Sequence, residues 1–321
     1  MKNIMIIGAG QLGSRHLQGA IQSQLALNII VVDPYQGSLD VAQQRANDIQ
    51  LTNSDTQINY TTKIDSDVPI DICIIATTAN IRFGVFRDLV DKCTVKNIIF
   101  EKVLFQKESE YSQVDEILKN NGINAWVNCP RRIYPAYQKI KSLIDEESSL
   151  KLTVQGSNWG LACNGIHFID LFSFLSYKTD INLDDTMLIK GVVESKRGGF
   201  YEVFGTLIGK VDNDYGFELS CSDDIAMSLE VKIVTPNFEV NIDELQNKLS
   251  ISQNGEQSDE AYYPLYQSQL THLNIEEIVK MNFSSLTPFS ESEKIHIPFI
   301  KAIKHHVESS LGKELDACPI T

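Results

Sequence analysis

Short apolar runs alternate with amphipathic segments through the first third of the chain. The runs are rich in Ile and Val, which is typical of strands buried on both faces of a parallel sheet. They lie at residues 2–7, 27–32, 58–61, 71–76, 95–100 and 123–128. The segments between them have helical apolar spacing, at residues 14–24, 38–48, 83–93 and 107–120. This alternation predicts a doubly wound α/β sheet of the Rossmann type.

The pattern changes near residue 124, after which apolar and polar residues mostly alternate with a period of two. This spacing predicts strands at residues 152–154, 186–195, 202–211, 215–222, 226–235, 238–242 and 248–253. Helices are predicted at residues 133–144, 166–175, 265–280 and 291–309. We therefore expect an α/β domain at 1–124 and an α+β domain at 125–321, whose large, mostly antiparallel open sheet is flanked by helices.

Composition and charge exclude several classes of function. The chain has 321 residues, of which 43% are hydrophobic and 22% charged, so it can bury two sizeable cores. Its net charge of −14 argues against nucleic acid or anionic membranes as partners, because both select basic surfaces. No leader or membrane-spanning run is evident, so a cytoplasmic protein is expected. The six cysteines form no Cys-x-x-Cys pair, so we expect neither disulfides nor a metal site.

The first strand leads directly into a glycine-rich turn, and an acidic residue ends the second strand. Gly8 permits the tight turn, Gly10 lets a pyrophosphate approach the backbone, and Gly13 lets the following helix pack closely. Asp33, twenty residues after Gly13, can accept hydrogen bonds from ribose hydroxyls. Its charge repels the extra phosphate of NADP, so NAD is the predicted cofactor. The residues of this predicted binding site are Gly8, Gly10, Gln11, Leu12, Gly13 and Asp33.

A lysine follows the fifth predicted strand, at the sheet edge where a nicotinamide would lie. Lys102 could donate a hydrogen bond or a proton to a substrate oxygen while hydride moves. An exposed lysine after a strand is also common, so both interpretations stay open.

Two adjacent arginines lie in an aromatic-rich segment at residues 126–137. Arg131 and Arg132 could hold a carboxylate or phosphate of a substrate. They could equally form a salt bridge between the two domains.

A histidine and an aspartate are three residues apart at a predicted helix start. His167 and Asp170 would share one face of that helix, and Gly165 beside them suggests that a ligand approaches closely. His167 could act as the acid or base in converting a hydroxyl to a ketone. A single histidine is more often structural.

These segments together resemble the glucose–fructose oxidoreductase / inositol dehydrogenase / MocA family of NAD(P)-dependent oxidoreductases. The resemblance rests on GAGQLGSRH at residues 8–16, the turn at 76–80, Glu101-Lys102, the segment 128–137 and the pair His167 and Asp170. It implies that Lys102 and His167 are the catalytic acid/base pair. It also implies cofactor contacts from Thr77, Thr78, Asn80 and Glu101. The substrate-binding residues it implies are Arg131, Arg132, Trp159, Cys163, Asn164 and Asp170.

Three positions depart from the family pattern. Val103 replaces the proline that usually follows Glu-Lys, which affects the path of the loop that carries Lys102. Cys163 replaces an aspartate four residues before the histidine, and Arg82 stands where many members have a histidine.

The resemblance implies hydride transfer between NAD and a sugar-like substrate, which could be a sugar, a nucleotide sugar or a sugar acid. One alternative is another reaction with retained cofactor, such as epimerisation, elimination or imine reduction. Another is a non-catalytic NAD-binding regulator. Because helices can cover only one face of the C-terminal sheet, we also expect a homo-oligomer, a dimer or tetramer, formed through that sheet.

Overall fold

The computed structural model describes residues 1–65, 67–145, 149–212, 214–224 and 227–321. Two units are distinguished by their internal contacts. The first comprises residues 1–105, 109–128 and 265–290, and the second comprises residues 106–108, 129–264 and 291–321. The sequence placed a single boundary after residue 124. The structure differs because the first unit extends to Asn128 and also includes a later segment, 265–290.

The described residues contain strands and helices that mostly lie within a few residues of the predicted ones. The strands are β1 (Lys2–Ile7), β2 (Leu27–Val32), β3 (Gln57–Thr61), β4 (Ile70–Ile75), β5 (Val95–Phe100), β6 (Asn124–Val127), β7 (Lys151–Ser157), β8 (Asn182–Leu188), β9 (Val193–Glu194), β10 (Tyr201–Glu202), β11 (Gly205–Val211), β12 (Asp214–Ser222), β13 (Glu230–Val234), β14 (Phe238–Asp243), β15 (Lys248–Gln253), β16 (Glu256–Ala261) and β17 (Thr287–Pro288). The helices are α1 (Gln11–Ile21), α2 (Gln36–Asn47), α3 (Ala79–Lys92), α4 (Glu108–Asn121), α5 (Pro135–Ser142), α6 (Leu161–Ser176), α7 (Thr271–Met281) and α8 (Phe289–Leu311). None of the helices in these ranges has the length and apolar character that crossing a bilayer requires.

The first unit is built on a seven-stranded sheet with the order β3-β2-β1-β4-β5-β6-β17. The strands from β1 to β6 pair in parallel, and β17 pairs antiparallel with β6 at the edge. The predicted doubly wound α/β sheet is therefore confirmed. Chain order reverses between β1 and β4, and such a switch point opens a crevice at the carboxyl ends of the strands.

The returning segment 265–290 packs on the first helix. A Cβ atom on Gly19 of α1 would lie only 2.8 Å from the Cβ of Thr271, so the two backbones approach closely there. Thr271 and Asn274 are both buried on this side of α7. The helix itself was predicted from its spacing, but spacing does not indicate which sheet a helix covers.

The second unit is built on an eight-stranded sheet with the order β16-β15-β14-β13-β7-β12-β11-β8. Its pairs are antiparallel except for β7 with β12, which confirms the predicted, mostly antiparallel sheet. The prediction of one strand at 186–195 is wrong. The strand β8 ends at Leu188, and residues 193–194 pair with β10 instead. The sequence did not predict β16, because all six of its residues are exposed and lack apolar alternation.

The two faces of this sheet differ in chemistry. One face packs against α6, where the Phe172 and Phe217 ring centroids are 5.1 Å apart. On the other face, paired positions carry polar side chains, among them Gln155, Lys232 and Asn241. At these positions the face is polar, and self-association through the sheet stays a prediction.

Candidate active site

The glycine turn between β1 and α1 has the backbone that its sequence predicts. Gly8 has a φ of +94°, which is a conformation that favours glycine. A Cβ on Gly13 would lie 1.6 Å from the carbonyl oxygen of Gly8, so a larger residue does not fit there. A Cβ on Gly10, in contrast, would meet no atom within 4 Å beyond its two chain neighbours. The absence of a side chain at Gly10 thus leaves open space in front of the turn.

The N-terminus of α1 faces this open space. The helix begins at Gln11, and no side chain among the described residues caps it. Its first turn, which includes Gln11, Leu12 and Gly13, therefore offers backbone N–H groups and the positive end of the helix dipole to an anionic ligand.

A cavity of about 770 Å³ lies beside the carboxyl ends of the first, second and fourth strands. Its lining includes the predicted cofactor residues Gly8, Gly10, Asp33, Thr77 and Thr78. With the open space at Gly10 and the uncapped helix, this cavity fits a dinucleotide.

Asp33 is held at the edge of this cavity by two backbone amides. The N–H of Ala9 donates to its Oδ2 at 2.8 Å, and the N–H of Tyr35 donates to its Oδ1 at 2.9 Å. The side chain is thereby fixed in one orientation. Lys63 and Lys92 also line the cavity. Sequence reasoning missed both lysines, which lie far from the glycine turn along the chain and belong to no motif.

Arg82 connects the loops that follow β4 and β5. Its guanidinium donates to the carbonyl oxygens of Thr77, Val103 and Leu104, the last at 2.7 Å. The side chain is 1% exposed, so this contact is buried within the first unit. The peptide bond between Lys102 and Val103 is cis. Arg82 therefore fixes the loop that carries Lys102 against the turn that carries Thr77.

Glu101 lies in a buried polar network of the first unit. Its Oε1 is 2.8 Å from Nε2 of His16 and accepts a hydrogen bond from Asn128. The Nδ1 of His16 is 3.0 Å from the hydroxyl of Thr271. Glu101 itself is 2% exposed and does not line the cavity, and Asn80 is exposed on α3. The sequence does not single out His16, which ends the glycine-rich stretch at residues 8–16.

In the second unit, α6 and its neighbours surround a cavity of about 260 Å³. Four of the predicted site residues line it together: Arg131, Trp159, Asn164 and His167. The remaining lining residues are Pro130, Tyr134, Phe168 and Leu229. Arg132, Cys163 and Asp170 are not among its lining residues.

Arg131 is paired with a carboxylate that sequence reasoning missed. Its two terminal nitrogens donate to the two carboxylate oxygens of Glu244, and its guanidinium carbon lies 4.2 Å from the ring centroid of Phe168. Burial lowers the pKa of Arg131, but the charge of Glu244, its hydrogen bond and the nearby Tyr137 and Tyr262 together outweigh this effect, and the pKa is raised overall. Arg131 therefore stays cationic, with its charge compensated.

Arg132 forms a buried ion pair with Asp170. Its Nε and Nη2 donate to the two oxygens of Asp170 at 3.0 and 2.8 Å, and Nη2 also donates to Glu291 at 2.9 Å. Asp170 is fully buried, and Arg132 is 5% exposed. All three residues belong to the second unit, so this salt bridge lies within a unit instead of joining two.

The other predicted residues of α6 contact nearby backbone or side chains. Cys163 donates from Sγ to the carbonyl oxygen of Thr321 at 2.9 Å, and Asn164 donates from Nδ2 to that of Trp159 at 2.7 Å. A Cβ on Gly165 would lie 3.1 Å from the ring of Phe299 on α8. The small residue beside His167 is thus explained by helix packing, and the suggestion of a close ligand does not follow from it.

Comparison with known proteins gives structural relatives only. No family model and no curated protein sequence matches the chain. Among solved structures, a UDP-N-acetylglucosamine 3-dehydrogenase from Acidithiobacillus ferrooxidans is similar, with a TM-score of 0.72 and 14% identity over 97% of this chain and 99% of that one. A scyllo-inositol dehydrogenase from Lactobacillus casei, with bound NAD(H) and scyllo-inositol, has a TM-score of 0.68 and 13% identity over 96% and 97% of the two chains. The chain has the fold of the glucose–fructose oxidoreductase / inositol dehydrogenase / MocA dehydrogenases.

The fold of these dehydrogenases is shared across different cofactors. A protein from Desulfitobacterium hafniense that is described as a candidate NADPH-dependent oxidoreductase has a TM-score of 0.70 and 12% identity over 95% of this chain and 96% of that one. At such identities the likeness concerns the fold.

Proposed function

We propose that this protein is an NAD-dependent oxidoreductase that interconverts a hydroxyl and a carbonyl group on a sugar-like substrate. The observation that carries the proposal is the cavity at the glycine turn, where Gly10 leaves open space and Asp33 is fixed at the edge. The dehydrogenases of like fold support the substrate class, since UDP-N-acetylglucosamine and scyllo-inositol both contain hydroxylated rings.

Each candidate residue has a defined chemical task in this proposal. The nicotinamide, when bound, accepts or supplies the hydride. Lys102 hydrogen-bonds the substrate oxygen and stabilises the charge that develops on it. His167 takes the hydroxyl proton as the carbonyl forms and returns it in the reverse direction. Arg82 supports the first task, because it fixes the carbonyl oxygens immediately after Lys102.

Replacing Asp33 with alanine is expected to weaken NADH binding about 10- to 100-fold, because hydrogen bonds to a charged acceptor contribute roughly 1.5–3 kcal/mol. The affinity for NADPH should fall less, since the charge that repels its extra phosphate is gone. Fluorescence titration with both reduced cofactors measures the two affinities. An unchanged ratio between them would contradict the role of Asp33 as the discriminating residue.

Replacing Lys102 with alanine is expected to lower kcat by about 10²–10⁴-fold, the usual contribution of a general acid or base. The affinity for NADH should change little. Turnover is followed by nicotinamide absorbance with fractions of a small-molecule extract as substrates. Lys96→Ala is the matched control, because Lys96 lies on β5, the strand that precedes Lys102, and pairs with Asp71. Equal losses of turnover and cofactor affinity would make Lys102 a cofactor-binding residue.

A second candidate function is a reaction in which the cofactor stays bound and is regenerated, such as epimerisation. Cys163 favours it, because its thiol, hydrogen-bonded to the Thr321 carbonyl, occupies the position where the resemblance predicts an aspartate. Reduced nicotinamide released by denaturing the purified protein, with no net NADH formation during turnover, would support this candidate over the first.

A further inference from the structure

The cavity beside His167 contains a neutralised cation. Of the described residues that line it, Arg131 is the one whose side chain is permanently charged. Glu244, which follows β14, binds both terminal nitrogens of Arg131. The backbone N–H of Glu244 donates to the carbonyl of Leu229 at 3.0 Å, and Leu229 itself lines the cavity. This backbone contact holds the Glu244 main chain beside the cavity wall.

The pair of Arg131 and Glu244 is shielded from solvent and supported by a third side chain. Each of the two side chains is 15% exposed. The hydroxyl of Tyr262 donates to the same carboxylate at 3.3 Å. A shielded pair of this kind resists separation, because parting it leaves two poorly solvated charges. An anionic group on a ligand would have to displace Glu244 or accept its repulsion.

Arg132, the neighbouring arginine, does not replace Arg131 as an uncompensated cation. Arg132 is bound by Asp170 through two hydrogen bonds and by Glu291 through a third. Both arginines of this segment are therefore matched by carboxylates within the second unit. A free basic pocket for a carboxylate or phosphate is not formed by either of them.

The rest of the lining suits an uncharged polyhydroxylated ring. Two aromatic side chains, Tyr134 and Trp159, present apolar surfaces, and Asn164 and His167 add polar groups. Phe168 also lines the cavity, but it is 1% exposed and its ring lies against the Arg131 guanidinium. Apolar walls with a few oriented polar groups are typical of sites for small neutral ligands. The C–H faces of a sugar or cyclitol ring match the aromatic surfaces, and its hydroxyls match the polar groups.

We infer that Glu244 is a specificity-determining residue. By neutralising Arg131, it makes this cavity select an uncharged sugar or cyclitol ring over an acidic one. This inference rests on the proposed function and narrows its substrate class: of the three substrates considered, a sugar acid is disfavoured. The diphosphate of a nucleotide sugar would have to lie outside this cavity.

The test compares neutral and acidic sugars that differ by one carboxylate. Calorimetric titration, with NADH present, measures the affinities of glucose against glucuronate, galactose against galacturonate and mannose against mannuronate. For the wild-type protein we expect the neutral member of at least one pair to bind about tenfold tighter. In Glu244→Gln the preference for that neutral member should fall about tenfold or more, because Arg131 is no longer compensated.

Two further variants make the result specific to Glu244. Glu260→Gln removes the same charge from an exposed ion pair with Lys139 and should leave the preference unchanged. The double variant Arg131→Gln/Glu244→Gln removes both charges and should keep the wild-type preference. It can still be measured if Glu244→Gln alone does not fold.

Three results would overturn the inference. The first is that acidic sugars bind the wild type as tightly as their neutral partners. The second is an unchanged preference in Glu244→Gln, and the third is that the protein binds neither sugar of any pair. Because binding is measured, a protein that binds neutral sugars but never forms NADH would refute the oxidoreductase proposal alone.

Discussion

Asp170→Ala is expected to lower the free energy of unfolding by about 3–5 kcal/mol, the usual loss when one partner of a buried ion pair is removed. Asp170 is fully buried, and it accepts two hydrogen bonds from the Arg132 guanidinium, against one accepted by Glu291. Without it, Arg132 keeps the single hydrogen bond to Glu291, whose side chain is 30% exposed. Urea denaturation monitored by circular dichroism measures the loss as a lower midpoint.

Glu260→Ala provides the contrast to this prediction. Glu260 pairs with Lys139, but both side chains are more than 40% exposed. Exposed pairs typically contribute about 0–1 kcal/mol, so the midpoint should hardly move. Similar midpoints for the two variants would mean that Arg132 finds other partners when Asp170 is removed.

Gly10→Ala and Gly13→Ala are expected to separate cofactor binding from stability. The added methyl of Gly10→Ala projects into open space, so the unfolding midpoint should stay within error of the wild type. It should nevertheless reduce NADH affinity about tenfold or more, because the methyl occupies the approach of the pyrophosphate. The added methyl of Gly13→Ala meets the Gly8 carbonyl, so we expect a loss of about 1–3 kcal/mol in stability as well.

The two glycine variants are compared by urea denaturation and by NADH fluorescence titration on the same preparations. If Gly10→Ala bound NADH as tightly as the wild type, the phosphates would not approach this turn. If Gly13→Ala were as stable as the wild type, α1 would have room to move away from β1.

The sequence predicted those features that depend on local backbone geometry. The turn at Gly8 requires a positive φ, and Gly13 is fixed by an atom only five residues away, so both requirements are visible in the glycine spacing. The buried parallel strands could likewise be predicted, because their Ile and Val runs have no polar face. Local chemistry therefore determined the fold class of the first unit.

Features that depend on distant partners could not be predicted from the sequence. Arg132 and Asp170 are 38 residues apart, and nothing near Arg132 indicates whether it meets a ligand or a carboxylate. Glu244 is 113 residues from Arg131 and belongs to no motif. The strand β16 is exposed at every position, so its pairing with the β15 backbone, and not its side chains, makes it a strand.

The return of residues 265–290 to the first unit has a consequence for synthesis on the ribosome. Until residue 290 has emerged, the outer edge of β6 has no partner strand. The face of α1 at Gly19 likewise lacks its contact with Thr271. An open edge of this kind can pair with strands of other chains, so we expect the nascent first unit to be exposed to misassembly until this segment has been made. Deleting the chain from residue 265 onward would therefore damage a sheet whose other strands all precede residue 128.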